Sequence, residues 1–318
     1  MPPSNAKASS NDNAKCKPKY GSLPPNAAMS IDIEDWFHSE HLRSAIDPRS
    51  WDSCELRVER NTDRMLTQMA HQGVKATCFI LGWCADKKPQ LIKRIASAGH
   101  EIASHGYAHA LAPGQKPHEF KSDIERSKKL LEDLTGRGVK GYRAPAFAIT
   151  DWAIDVLQSL GFEYDSSAFS NPARNGSTPL RGLTPGTPIA ELRKGFHEVC
   201  ASCVSVAGRS FRAGGGHFRL LPYMLFRRGI KKVLRAGGPF VFYLRSWEID
   251  AAQPRVSGVG RGDYFRHSVN LSSGEDRFNR LLRDFNWTSI GDLLSRRKST
   301  DRAERDALAR APSGPTAA

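Results

Sequence analysis

The feature that most constrains this chain is a regular alternation of short apolar runs with amphipathic stretches, about seven times along its length. Ala28 to Ile33, Lys75 to Leu81, His100 to Ser104, Val139 to Arg143, Phe162 to Asp165, Phe240 to Leu244 and Trp287 to Ser289 read as strands. Between them, Leu56 to His71, Pro89 to Ser97, Pro117 to Leu134, Thr150 to Leu160, Leu221 to Ala236 and Glu275 to Phe285 repeat apolar residues at helical spacing, and several end at a glycine. Adjacent parallel strands need a long crossover, so the pattern predicts an α/β fold with a parallel sheet, open or closed into a barrel. With 318 residues and 39% hydrophobic content, the chain can bury one large core or two small ones.

Residues able to do chemistry gather at one end of these strands: Asp32 and Asp35, His105 and His109, Arg143, Asp165, Trp247 and Glu248. Active sites of (β/α) barrels lie at the C-terminal ends of the strands. Ile31-Asp32-Ile33-Glu34-Asp35-Trp36 carries three carboxylates, and Ser104-His105-Gly106-Tyr107-Ala108-His109 carries two histidines four residues apart. A carboxylate with two histidines is an ordinary ligand set for a divalent metal, and a spare carboxylate beside it can act as general base. His38 and His41 follow in a loop or short helix and line a pocket or lie on the surface. From 166 to 216 the pattern dissolves into an excursion rich in Pro, Gly, Asn and Ser, of the kind that shapes a substrate groove. The glycine turn over 212–219 is no phosphate loop, because no GK[ST] ending follows.

A net charge of +14 favours acidic partners, but Arg227, Arg228, Lys231, Lys232 and Arg235 share one helix and read as a solvated face. A nucleic-acid role rests on that charge alone and is not expected. No run is long enough to span a bilayer. Residues 1–27 lack the apolar core of a signal peptide and read as a disordered leader. A cytoplasmic location is expected, with a place near the inner membrane left open. Residues 295–318 read as a polar tail with at most a frayed helix. The irregularly spaced cysteines read as free thiols, and Cys200 and Cys203 lack the second CxxC of a zinc site.

The motifs DIED, SHGYAH, YRAPAF and YDSS occur in this order, and the chain is identified as resembling the NodB-homology polysaccharide deacetylases, carbohydrate esterase family 4. The likeness runs from about Ala28 to Leu294, a core over about 28–170 followed by a C-terminal extension over about 171–294. The segments GGGHFRLLPY and YLRSWEIDAAQPR resemble the extension of the branch tied to exosortase-type exopolysaccharide loci. The resemblance implies a distorted (β/α)7 barrel and metal-dependent removal of N-acetyl groups from a polysaccharide or oligosaccharide, with Zn2+ the expected ion. It implies Asp32 as general base and His105 and His109 as metal ligands. Glu34 and Asp35 both remain candidates for the carboxylate ligand. It further implies Arg143 as the residue orienting the base, and Pro145 and Phe147 as groove wall. Asp165, Tyr107 and Trp247 are further candidates for substrate contact.

One position departs from the branch, which reads Tyr-x-His-Pro-Trp-Glu where this chain has Tyr243-Leu244-Arg245-Ser246-Trp247-Glu248. Arg245 replaces the histidine expected to act as general acid. Arginine cannot cycle a proton near neutrality, though it can stabilise an oxyanion. The chain is then a slow enzyme, an enzyme that recruits His217 as acid, or a carbohydrate-binding remnant. An allantoinase-like hydrolase of a small cyclic amide is a further alternative, disfavoured by the long excursion.

Overall fold

The computed structural model describes residues 26–171 and 180–310. Most of the leader expected over 1–27 lies outside the described residues, and Ala27 already belongs to a strand. The strands are β1 (Ala27–Ile33), β2 (Thr77–Ile80), β3 (Glu101–Ser104), β4 (Gly141–Tyr142), β5 (Tyr164–Asp165), β6 (Ile189–Arg193), β7 (Phe196–Val199), β8 (Cys203–Val206), β9 (Arg209–Arg212) and β10 (Phe240–Arg245). The helices are α1 (Val58–His71), α2 (Gly82–Lys87), α3 (Pro89–Ser97), α4 (Pro117–Thr135), α5 (Asp151–Ser159), α6 (Gly215–Leu220), α7 (Tyr223–Arg235), α8 (Arg261–Ser268), α9 (Gly274–Asp284) and α10 (Ile290–Arg310).

The main sheet runs β10-β1-β2-β3-β4-β5-β7-β6, and every neighbouring pair is parallel except β6 with β7. The expected distorted (β/α)7 barrel is what this sheet builds. Its seam is stitched just past β7: Ser202 N–H donates to the Val241 carbonyl at 2.9 Å, and Val241 N–H donates to Ser202 Oγ at 2.8 Å. Farther up the seam Gly214 bridges Tyr243, and a Cβ at Gly214 would strike the Tyr243 carbonyl and ring. Only glycine lets the two backbones approach so closely. β1 is buried along its whole length, as a strand covered on both faces must be.

Three expectations change in the structure. The excursion over 166–216 holds β6, β7, the hairpin β8–β9 and the start of α6. Its strands are short and half-buried, so their apolar residues are too few for a period, and turns such as Ala207-Gly208 (φ 48° and 75°) read as loop. Among them β7 completes the parallel set of the barrel. Trp287 to Ser289 is not a strand; Thr288 makes one bridge to Ala28. The polar tail expected from 295 continues α10, whose first turns bury Ile290, Leu293 and Leu294 against Ala28, Phe79 and Val241 inside the barrel. Helical propensity of the polar residues beyond carries that helix outward to Arg310. Residues 311–318 lie outside the described residues.

The same packing sets an acid response. Burial first, then the Arg219 charge, depresses His267 to about 3, and burial with Lys75 depresses His100 to about 4. Both folded values lie below the free histidine value of about 6.5, so the unfolded chain binds more protons between them and stability falls as pH drops through that window. His267 stacks on Trp247 at 4.5 Å and its ring nitrogens meet Ser39 and Gln253 at 3.1 and 2.9 Å. Thermal melts should lose on the order of 2 kcal/mol between about pH 6 and pH 4. His267→Gln, which cannot charge, should flatten part of that slope; an unchanged slope would remove His267 from this account.

Candidate metal and catalytic site

The parallel strands deliver their side chains to one end of the barrel. Asp32 and Glu34 sit two apart on or just past β1, so both face the barrel interior, where Glu34 meets the histidines that follow β3. Glu34, His105 and His109 are all buried, and their ligand atoms lie within 4.8 Å of one another. Glu34 Oε2 is 2.8 Å from His109 Nε2 and 3.5 Å from His105 Nε2. His105 Nδ1 bonds the Arg143 carbonyl at 2.8 Å, which leaves its Nε2 for the cluster. A hydrogen bond of this kind on the far ring nitrogen is what orients metal-binding histidines. Glu34 Oε2 and His109 Nε2 are buried facing each other, with no further hydrogen-bond partner. Three converging lone-pair donors of this kind fit a divalent cation. His109 holds φ at 53°, in the left-handed region that costs a non-glycine residue energy.

Glu34 is held by its other oxygen. Trp247 Nε1 donates to Oε1 at 3.1 Å, and Arg245 Nε lies 3.1 Å from the same atom. Burial works against the Glu34 charge, yet His109, His105 and Arg245 together hold its carboxyl well below the usual range. Burial also works against the Arg245 charge, but Glu34 and Glu248 raise its pKa above the ordinary arginine value. Arg245 is 21% exposed, against 5% or less for Glu34 and the two histidines, so it is the partner that faces the mouth.

Asp35, the other acid left open, turns away. Its carboxylate accepts from the backbone N–H groups of Trp36, Arg57 and Val58 at 2.9, 2.7 and 2.8 Å, pinning the loop to the start of α1. Burial nonetheless pushes its carboxyl up to about 6, against those donors. The ligand atoms that converge are those of Glu34, His105 and His109, while Asp35 is engaged by three backbone amides, so Glu34 is the carboxylate of the cluster.

Asp32 Oδ1 accepts from Arg143 Nη1 at 2.8 Å, and Asp32 Oδ2 is buried with no partner. Arg143 is fully buried between Phe79 and Phe147 and places three further donors on Ser30 Oγ, the Ser166 carbonyl and Ser166 Oγ at 2.9, 3.0 and 2.9 Å. A planar fork held on this many sides is fixed in position. The backbone there is strained too, with Ala146 and Phe147 at φ 53° and 61°. Pro145 is buried, and Phe147 packs on Phe169 and Tyr243 at 4.7 and 4.6 Å, so the wall these residues form is mostly interior.

Four candidates land elsewhere. Tyr107 donates to Asp86 at 2.5 Å under the Arg126 guanidinium, on the outside of the barrel, with its ring against Gly82, where a Cβ would strike it. Trp247 is 2% exposed and cannot stack on a sugar; it is a support for Glu34. Asp165 is fully buried, directly opposite Glu198 across the β5–β7 register, and accepts from Ser167 Oγ at 2.6 Å. Burial and the Asp165 charge raise the Glu198 pKa well above the usual value, so Glu198 holds a proton against its neighbour. This pair braces the turn behind Arg143 rather than meeting substrate. His217 is carried by α6 onto the ring of Phe211, 5.7 Å away, and makes no bond to the cluster.

Ser30, Ser166, Glu198 and Ser246, whose Oγ donates to the Glu34 carbonyl at 2.5 Å, are site residues that spacing does not reveal, while His38 is already a pocket candidate from the sequence. The alternation Ser30-Ile31-Asp32 was the one available signal, since it puts Ser30 on the Asp32 face. His38 is buried, accepts from Asp35 N–H at 2.9 Å through Nδ1, and lies 5.8 Å from His109 with Trp51 and Trp83 around it. His41 reaches Asp263 at 3.3 Å on the rim.

Comparison with known proteins places the chain in context. The polysaccharide deacetylase family profile matches residues 50–164, and a profile described as a domain of unknown function, DUF3473, matches 170–295. A peptidoglycan-N-acetylglucosamine deacetylase of Bacillus cereus is 31% identical over 143 residues, 39% of this chain and 52% of that protein. A chitooligosaccharide deacetylase of Sinorhizobium fredii is 34% identical over 146 residues, 44% of this chain and 66% of that one. The chain thus spans about half the length of the first of these relatives. A solved structure from Mycobacterium smegmatis, assigned to the polysaccharide deacetylases, superposes with a TM-score of 0.59 at 18% identity, over 89% of this chain and 94% of that one. That similarity is one of fold.

Proposed function

Because this chain belongs to the polysaccharide deacetylase family, we propose that it hydrolyses N-acetyl groups of an N-acetylated polysaccharide or oligosaccharide, with a divalent metal, zinc, held by Glu34, His105 and His109. The observation that carries this reading is the buried trio with the Asp32–Arg143 pair beside it. A bound zinc ion would supply Lewis acidity toward the acetamide carbonyl and acidify nearby water. Asp32 Oδ2, free of hydrogen bonds, takes the proton of the attacking water. Arg143 keeps the Asp32 carboxylate aimed. Trp247 and Arg245 hold Glu34 in one orientation. Arg245, exposed at the mouth, steadies negative charge developing on the acetamide oxygen. Because it stays charged, it does not protonate the departing amine; the proton that Asp32 took from water is the one passed to that nitrogen as the C–N bond breaks, and that step is the slow one.

Arg245 also favours a second reading. Its pairing with Glu34 competes for the charge a metal needs, as expected of a relative that binds the polymer without turnover. Acetate release from N-acetylglucosamine oligomers by the zinc-loaded protein decides between the two. We expect slow, zinc-dependent release, and Arg245→His should raise it by roughly 10-fold or more, since a general acid is commonly worth 10²–10⁴-fold. Zinc binding without release in either protein, on chitin-type and peptidoglycan-type oligomers alike, would overturn the deacetylase reading.

A further inference from the structure

Large hydrophobic side chains exposed on this molecule are few, and they are not scattered. Among the described residues they are Leu56, Leu220, Met224, Leu225 and Phe265, and all but Leu56 lie on α6, α7 and α8. Leu220 ends α6, Met224 and Leu225 open α7, and Phe265 is in α8. Arg219 ties α6 to α8: it donates through Nη2 to the Arg266 carbonyl at 3.2 Å, and through Nη1 to the Val269 carbonyl just past α8, while α7 follows α6 within two residues. Leu220 is 46%, Met224 49% and Phe265 55% exposed, well beyond the partial exposure of a packed rim.

This face adjoins the mouth of the site. α6 starts beside Arg245, whose Nη1 lies 3.4 Å from the Cβ position of Gly215, and α8 places His267 on Trp247. α7 runs back along the barrel to feed β10, so its N-terminal turn lies at the end where β10 delivers Arg245. Basic residues flank the apolar side chains. Arg228 and Lys232 continue the exposed face of α7 beyond Met224 at helical spacing, and Arg261 opens α8. No carboxylate of the described residues bridges any of the three. The remaining face of α7 is occupied, since Tyr223, Phe226 and Ile230 are buried in the barrel wall.

We propose that this face docks on an anionic lipid surface, with the site mouth turned toward the bilayer. Aliphatic side chains such as Leu220 and Met224 gain from entering the acyl boundary, whereas sugars and bases are met by aromatic faces. Flanking arginine and lysine match the negative potential of an anionic leaflet, and the net charge of +14 adds long-range attraction. A bilayer contact of this kind needs no helix able to cross it, and no helix of the described residues is long and apolar enough to do so.

The test is flotation of the full chain with phosphatidylcholine vesicles, with and without 30 mol% phosphatidylglycerol. Two variants accompany it: Leu220→Ser/Met224→Ser/Phe265→Ser, and Arg228→Glu/Lys232→Glu/Arg261→Glu. All six side chains are exposed, so both variants should fold, and circular dichroism melts check this. We expect binding to the phosphatidylglycerol vesicles that weakens with salt, at least 10-fold weaker in each variant, and little binding to phosphatidylcholine alone. Undiminished binding by the apolar variant would overturn the proposal. So would absence of vesicle binding together with a dimer in gel filtration that the apolar variant abolishes, which assigns the face to a second copy. Binding to dextran sulfate as strong as to vesicles, lost in the charge variant but kept in the apolar one, would assign it to an anionic polymer.

Discussion

His109→Ala is expected to abolish stoichiometric zinc binding and, with it, acetate release. The reason is geometric. Glu34, His105 and His109 supply the only cluster of three converging ligand atoms among the described residues, and His109 makes the closest approach to Glu34, 2.8 Å. Loss of a supporting group around a metal typically costs 10–100-fold in affinity, and loss of a ligand itself should exceed about 100-fold. Isothermal titration with zinc reads this directly, independent of substrate. Alanine is strained at φ 53°, so His109→Asn, a residue enriched in left-handed backbone, separates the backbone effect from the lost imidazole. Unchanged stoichiometry in both variants would mean that the metal, if any, is held elsewhere.

The second large effect is at Arg143. Arg143→Met should destabilise the fold by about 3–5 kcal/mol, the usual penalty for breaking a buried ion pair from one side. Asp32, Ser30 and Ser166, all buried, would each lose a donor. Arg143→Lys keeps the charge but not the fork, and one ammonium cannot serve Asp32 and Ser166 at once. It should therefore recover part of the stability and little of the rate, leaving acetate release about 10²-fold or more below the parent. Urea denaturation and steady-state rates on the same preparations check both. A loss under 1 kcal/mol in Arg143→Met would show that the network is not the brace described above.

Asp165 and Glu198 show how function and support separate. Asp165 stands in the YDSS motif at a strand end, where chemistry is expected, yet the structure buries it against Glu198. Glu198 lies in a segment read as a loop, so the partner that changes the role of Asp165 had no signal in the sequence. Trp247 follows the same logic: an aromatic near a sugar site suggests stacking, but burial at 2% leaves only its indole N–H to act, and that is spent on Glu34.

What the amino-acid order determined was everything carried by local periodicity. The βα alternation, the buried strands and the gathering of Asp32, His105, His109 and Arg143 at strand ends follow from residue spacing and from the fixed direction of parallel strands. Contacts between residues far apart in the chain were decided by the tertiary structure alone. The choice of Glu34 over Asp35 depends on the Arg57 and Val58 amides, which saturate Asp35 from the start of α1. The pairing of Arg245 with Glu34 depends on β10 lying beside β1, their ends more than two hundred residues apart in sequence. The closing strand β7, too short to show a period, is recognised only when the barrel gives it neighbours, because two- to four-residue strands owe their form to their partners' hydrogen bonds and hardly at all to their own propensity.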